Sequence, residues 1–386
     1  MSHSAASAFG AFMSTLRQRR GLTPPQVSRL LEGTSEHVDR GSLWRLEHGE
    51  RGLSMGKLTR LGRIYDVPPE VIVERWELDR ELEHLGGTDT GERCVEALVA
   101  AGRRALTGHD GKWHAYACFR DAVGRASEPE DSDRVRLNLA TAVRALGKNR
   151  LALYELAELE RSLETPSLRP VVLDRMANCH RCLGRLDAAR DLVDAAVDAV
   201  GHRDGRVAAV IHSSRANIAI ARGESGEAVT WLNHALSAGR DPKNANGALR
   251  PSPGFDVSLL NMIAECHLET SSLEQARQAA TVAGRVARRY GIPLGLAHAE
   301  LALGRLDERA GDPTRAEVRW RRVVSIAHEI DDRRLAFAGG FYRFSRALRA
   351  GETSRANGER RKLERLLPWV PHHVPLVGAF HDRVSH

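Results

Sequence analysis

Lysine is nearly missing from this chain. Lys57, Lys112, Lys148, Lys243 and Lys362 are the whole set in 386 residues, so 52 of the 57 basic residues are arginine. GC-rich coding drives part of such a bias, which excludes arginine abundance by itself as a sign of function. Aromatic residues make up only 5%. No run alternates β-branched with polar residues, so no sheet is expected. No apolar span approaches the ~20 residues that cross a bilayer, and no charged segment leads into an apolar stretch at the start. The expectation is a cytoplasmic protein with no membrane contact. The five cysteines (Cys94, Cys118, Cys179, Cys182 and Cys266) are odd in number and sit in helical patterns. They read as free, buried thiols of a reducing compartment. P-loop, G-x-S-x-G and H-E-x-x-H patterns are absent, as are carboxylates paired on one face beside a base. Neither an enzyme nor a cofactor is expected.

Ala, Leu, Arg and Glu dominate, which favours helix throughout. The formal charge is +7. Residues 1–66 hold ten Lys/Arg against six Asp/Glu, so more than half of that excess sits in about one-sixth of the chain. Phe9, Phe12, Met13 and Leu16 are at helical spacing, and Gly21 can end that helix. Thr23-Pro24-Pro25 is a helix start, with Val27, Leu30 and Leu31 as a short apolar face. Asp39 is placed to cap a helix over Arg40–His48, stopped by Gly49. Ser54 is placed to cap a fourth with Leu58, Leu61, Ile64 and Tyr65 inward, and Pro69 can open a fifth.

The stretches "LRQRRGLTPPQVSRL" and "RGSLWRLEHGERGLSMGKLTRLGRIYDVPPEVI" resemble the phage repressor/Cro-like helix-turn-helix of the Xre class over about residues 9–73. The connection Glu32–Val38 is longer than the tight turn of that class by about four residues. The resemblance implies that the third helix enters the major groove of double-stranded DNA. Leu43 and Leu46 then face inward, while Arg40, Ser42, Trp44 and Arg45 face outward, Arg45 suited to a guanine. Arg51, Ser54 and Lys57 become phosphate contacts. Glu47 is expected to tie the fold together rather than to touch DNA.

From about residue 91 helix pairs recur. The turn positions Gly184, Gly223, Ser271, Gly311 and Gly351 are separated by 39, 48, 40 and 40 residues. The long interval contains "DPKNANGALRPSPG" (241–254), read as an inserted loop. A fixed period with two helices per unit marks an α-solenoid. The units resemble tetratricopeptide repeats, about seven in all counting degenerate pairs near 92–126 and 131–164. The fold class is therefore all-α: a five-helix domain over 1–73, a linker helix over 74–90, repeats over 91–367 and a tail over 368–386. The tail is either a loose end or a cap on the last repeat. The pair Cys179 and Cys182 lacks the further ligands a zinc site needs, so no metal is expected.

A helix-turn-helix joined to such repeats resembles the peptide-pheromone-regulated transcription factors of bacteria (the RRNPP group). In that group asparagines on inner helices grip the backbone of a short peptide. The corresponding candidates are Asn138, Asn178, Asn217 and Asn261, one on each of four first helices, with Arg175 and Arg215 for an anionic ligand. An amide offers two donors and two acceptor sites, which suits main-chain recognition. The reading is a homodimeric, sequence-specific regulator whose repeats bind a signalling peptide or a small molecule. The alternative is a protein-binding scaffold with a secondary or vestigial DNA-binding domain.

Overall fold

The computed structural model describes residues 5–50, 53–85, 94–107, 111–200, 205–240, 252–370 and 374–385. Among them all regular structure is helical, in twenty α-helices. They form two compact units, Met1–Ala199 and Val200–His386.

The first unit opens with α1 (Ala5–Arg19), α2 (Pro24–Leu30), α3 (Arg40–Glu47), α4 (Met55–Tyr65) and α5 (Pro69–His84). The start signals act as the residue types dictate. Gln26 Oε1 accepts from the Thr23 backbone N–H at 2.7 Å, Asp39 accepts from the Ser42 N–H at 2.9 Å, and Ser54 caps α4. Each side chain satisfies a donor that the first turn leaves orphaned. Asp66 ends α4 in the left-handed region, at φ 59°. The long α2–α3 connection is anchored by Leu31 and Val38, both fully buried.

The expected fifth helix and the expected linker helix are one element, α5, which runs without a break across residue 74. Three helix pairs follow in this unit: α6 (Val95–Thr107) with α7 (Lys112–Val123), α8 (Pro129–Ala145) with α9 (Asn149–Arg161), and α10 (Arg169–Cys182) with α11 (Leu186–Val200). Helix α5 packs on α1, α4 and α9. One hydrophobic core runs from Phe9 and Leu43 through Val71, Leu78 and Leu82 to Leu151 and Leu156. The contact is polar as well. Glu74 of α5 accepts the Leu151 N–H at 2.8 Å, capping α9 from outside. Lys148 bridges Glu77 and Glu81 at 2.9 and 3.0 Å. Arg19 of α1 reaches Glu158 at 2.7 Å and the Tyr154 hydroxyl at 3.1 Å.

The second unit holds four pairs: α12 (Gly205–Ala221) with α13 (Ser225–Arg240), α14 (Pro253–Glu269) with α15 (Leu273–Tyr290), α16 (Pro293–Arg309) with α17 (Pro313–Glu329), and α18 (Arg333–Arg349) with α19 (Thr353–Leu366). Most of the inserted loop lies outside the described residues. The turn positions read from the period, Gly184, Gly223, Ser271, Gly311 and Gly351, all have φ between 58° and 80°. Each ends a first helix in the conformation that glycine adopts most cheaply. The tail forms a capping helix, α20 (Pro375–Ser385), whose Phe380 lies 5.8 Å from Phe337 and 5.6 Å from Phe344 between ring centroids.

Between the helices of this unit, carboxylates are buried among arginines. Arg319 donates to both Glu300 and Asp307 at 2.6 Å, and Arg277 also reaches Asp307, at 2.8 Å. Glu317, on α17, is met by Arg321 and Arg343 at 3.0 Å, by Arg346 and by Arg355. Burial would raise the Asp307 and Glu317 carboxyls, but hydrogen bonds and the charge of these arginines outweigh it and hold both below the usual carboxylate range. A lowered folded value adds stability above the unfolded pKa of about 4, and that stability is lost as pH falls through the folded value. The thermal midpoint of this unit should therefore fall between about pH 5 and about pH 2. Circular-dichroism melts would show it; a midpoint that stays level or rises on acidification would contradict the assignment.

Candidate nucleic-acid interface and repeat groove

Helix α3 is short, and two residues hold it. Leu43 and Leu46 are buried in the core of the first unit. Its last residue, Glu47, takes a two-point hydrogen bond from Arg17 of α1, Nε at 2.6 Å and Nη2 at 2.8 Å. Arg17 Nη1 also donates to the Leu22 carbonyl at 2.7 Å. Both side chains are about nine-tenths buried. The buried Tyr65 hydroxyl beside them is pushed above its usual range by burial and by the Glu47 charge. The close crossing of α1 over the end of α3 depends on Gly10. A Cβ there would lie 2.5 Å from both the Leu46 and Glu47 carbonyl oxygens.

The outer face of α3 is polar and aromatic. Arg40 is exposed at its first position. Asp39 is held down at about 2 by its hydrogen bonds from Ser42, so it is ionised at neutral pH. The Ser42 hydroxyl donates to Asp39 at 2.6 Å and accepts from Arg45 at 3.4 Å. Arg45 Nε is buried and meets no acceptor among the described residues. Trp44 is 49% exposed. It stacks on His48 at 4.1 Å, and His48 Nδ1 lies 2.8 Å from the Trp44 carbonyl. The indole therefore lies on the outside and does not fill space under the long 32–38 connection. Ser54, the cap of α4, is exposed, and Lys57 on α4 is half-buried. Arg51 lies outside the described residues.

In the second unit a cleft of about 500 Å³ opens between α12, α14 and α16. Asn217, Asn261, Glu265, Glu269 and His298 line it, with Ile220, Met262 and Leu294 as apolar wall. Asn217 Nδ2 donates to the Ser213 carbonyl at 3.0 Å, and Asn261 Nδ2 to the Gly295 carbonyl at 2.9 Å. Arg305 pairs with Glu265 and reaches Glu269 at 3.3 Å.

Residues 8–74 match the family model of a helix-turn-helix domain. No curated protein matches the chain. Among solved structures, the apo form of RapI is 11% identical over 75% of this chain and 86% of that chain, with a TM-score of 0.55. A signal-transduction ATPase from Pyrococcus horikoshii, described as having a tetratricopeptide repeat sensor, is 13% identical over 95% of this chain and 67% of that chain, with a TM-score of 0.54. Bacillus thuringiensis PlcR, in complex with the peptide PapR7 and DNA, is 16% identical over 75% of this chain and 98% of that chain, with a TM-score of 0.40. At these identities the likeness is one of fold, tetratricopeptide-like repeats, which here follow the helix-turn-helix domain that the family model matches.

The helix-turn-helix domain brings Arg40, Ser42, Trp44 and Arg45 onto one short helix, as the pattern implies. The repeat candidates are not brought together in the same way. Asn217 and Asn261 share the cleft. Asn138, Asn178 and Arg175 belong to the first unit. Asn178 Nδ2 is taken by the Asp174 carbonyl of its own helix at 3.0 Å, and Arg175 pairs with Asp174 at 3.1 Å. Asn138 Nδ2 is buried without a partner among the described residues. Arg215 is buried, pairs with Glu227 at 2.8 Å and lies over Trp231, away from the cleft. Cys179 is buried, and burial pushes its thiol up to about 12. Cys182 and Cys94 are exposed, which corrects the expectation of buried thiols throughout. Glu265, Glu269 and Arg305 are not among the residues the sequence pointed to, which were amides and arginines suited to a peptide backbone or an anion. Their signal was the i, i+4 pair of acids on a first helix.

Proposed function

We propose that the chain is a transcription regulator. The helix-turn-helix domain of each subunit reads half of an operator in double-stranded DNA, and a homodimer reads both halves. The repeats bind a signal, a short peptide or a small molecule, that controls this reading. The observation that carries the proposal is α3 itself. Its leucines and Glu47 are locked into the core, while Arg40, Trp44, Arg45 and His48 are left to the outside. That division of one helix suits insertion into a major groove, where its first residues meet base edges. Arg45 carries a planar fork of donors, which suits the acceptor pair of a guanine. The core shared by the domain and the first repeats supports control, because the placement of the DNA-reading helices follows the repeats they are packed on.

An electrophoretic shift on the DNA upstream of the protein's own gene tests this. Arg45→Ala should weaken specific binding by about 1–3 kcal/mol and relax preference at one base pair. Lys57→Ala should weaken binding on all sequences alike and lower the salt slope by about one. Protein that leaves genomic DNA unshifted at low salt, or an Arg45→Ala variant that binds unchanged, would refute the reading.

A further inference from the structure

We infer that the cleft between α12, α14 and α16 takes a cationic ligand with an apolar body. Its ammonium or guanidinium is held by Glu265 and Glu269, and one of its N–H groups meets Asn261 Oδ1. The inference rests on the reading of the repeats as a sensor, and gives that sensor a chemistry.

Three observations converge. Asn261 is 9% exposed. Its bond to the Gly295 carbonyl fixes which end of the amide is nitrogen, and its oxygen is buried with no donor among the described residues. A buried acceptor without a donor is costly, and a ligand that donates removes the cost. Glu265 and Glu269 stand one turn apart on the same face of α14, 42% and 64% exposed, and share one guanidinium, that of Arg305. Two carboxylates against one cation leave negative charge to spare. His298 does not offset it: burial pushes the imidazole below its usual range, so it is neutral at pH 7. The cleft thus combines an excess of negative charge with a buried acceptor that has no donor among the described residues. Ile220 and Leu294, 39% and 45% exposed, give it an apolar wall. An anionic ligand would meet repulsion there, and a neutral apolar one would leave the Asn261 oxygen unpaired. The volume, about 500 Å³, suits a ligand of drug or short-peptide size.

Titration calorimetry on the full chain tests this with four probes. They are acetyl-leucyl-lysyl-leucine amide, its norleucine and glutamate analogues, and hexylamine. The lysine peptide should bind about tenfold more tightly than the norleucine one, and the glutamate peptide more weakly still. Hexylamine binding as tightly as the lysine peptide identifies a free amine as the source of the cation, whereas much weaker binding identifies a basic peptide. Glu265→Gln with Glu269→Gln should cost the lysine probe about tenfold. Arg305→Gln removes the resident cation and should tighten binding several-fold, a sign that mere damage to the fold would not give. Melting curves check that each variant is folded. The inference is overturned if the norleucine or glutamate peptide binds as tightly as the lysine one, if no probe binds, or if Arg305→Gln weakens binding. The operator shift separates the two readings. A lysine probe that binds without altering DNA retention sinks the sensor reading and leaves the cleft chemistry standing. DNA binding with no probe bound sinks the cleft chemistry alone.

Discussion

Glu47→Ala should remove about 3–5 kcal/mol from the first unit and abolish DNA binding with it. The carboxylate is the counter-charge for Arg17, whose three donating nitrogens are committed to Glu47, the Leu22 carbonyl and Ser14. Without Glu47, a guanidinium is left inside the protein with no opposite charge. The cost is that of a stranded buried ion, which exceeds the net worth of the intact pair. Replacing both members by apolar residues, Arg17→Met with Glu47→Leu, should recover most of the loss, since neither charge then remains to be solvated. Urea melts of the two single variants and the double variant form the cycle. If Glu47→Ala melts within about 0.5 kcal/mol of the parent, as an ordinary surface change does, the pair is not the clamp described here.

The second large effect is expected in the second unit. Glu317→Ala should destabilise the second unit by about 3–5 kcal/mol. The residue is on α17, and the four arginines around it come from α17, α18 and α19. One carboxylate therefore holds three consecutive helices at the level of their second and first positions in adjoining repeats. Removing it takes the acid from Arg321 and leaves Arg343 to Glu359, and Arg346 and Arg355 to share Glu352. Glu329, on the same helix but exposed and bonded among the described residues only to Ser325, is the control: Glu329→Ala should change stability by less than about 0.5 kcal/mol. Equal effects from the two alanines would show that the arginine cluster does not depend on its central charge.

The fold was legible because its signals are local. Thr23-Pro24, Asp39 and Ser54 announce helix starts within a few residues, and Gly184, Gly223, Gly311 and Gly351 announce ends through a backbone angle that glycine favours. The period of the turns needs no knowledge of contacts. What stayed hidden depends on partners distant in sequence. The arginine excess looked like coding bias, yet Arg277, Arg319, Arg343 and Arg355 each answer a buried or half-buried acid on another helix. Gly10 has no signal of its own in the sequence: the helix whose carbonyls a Cβ there would strike lies some 36 residues further along the chain. The asparagines illustrate the same limit. Helical offset places Asn178 and Asn217 on comparable faces, but only the packing shows Asn178 spent on its own helix and Asn261 with an oxygen to spare.

The continuous core beneath α5 bears on how this protein can be taken apart. The family match ends at residue 74, and a natural place to cut would be there. Such a cut would run through the middle of α5, strip Leu78 and Leu82 from the head, and part Glu74 from the α9 N-terminus it caps. A piece made that way would expose the apolar face it was folded on. Anyone grafting this helix-turn-helix head onto different repeats should carry the chain through α9, because the smallest portable module is larger than the smallest recognisable one.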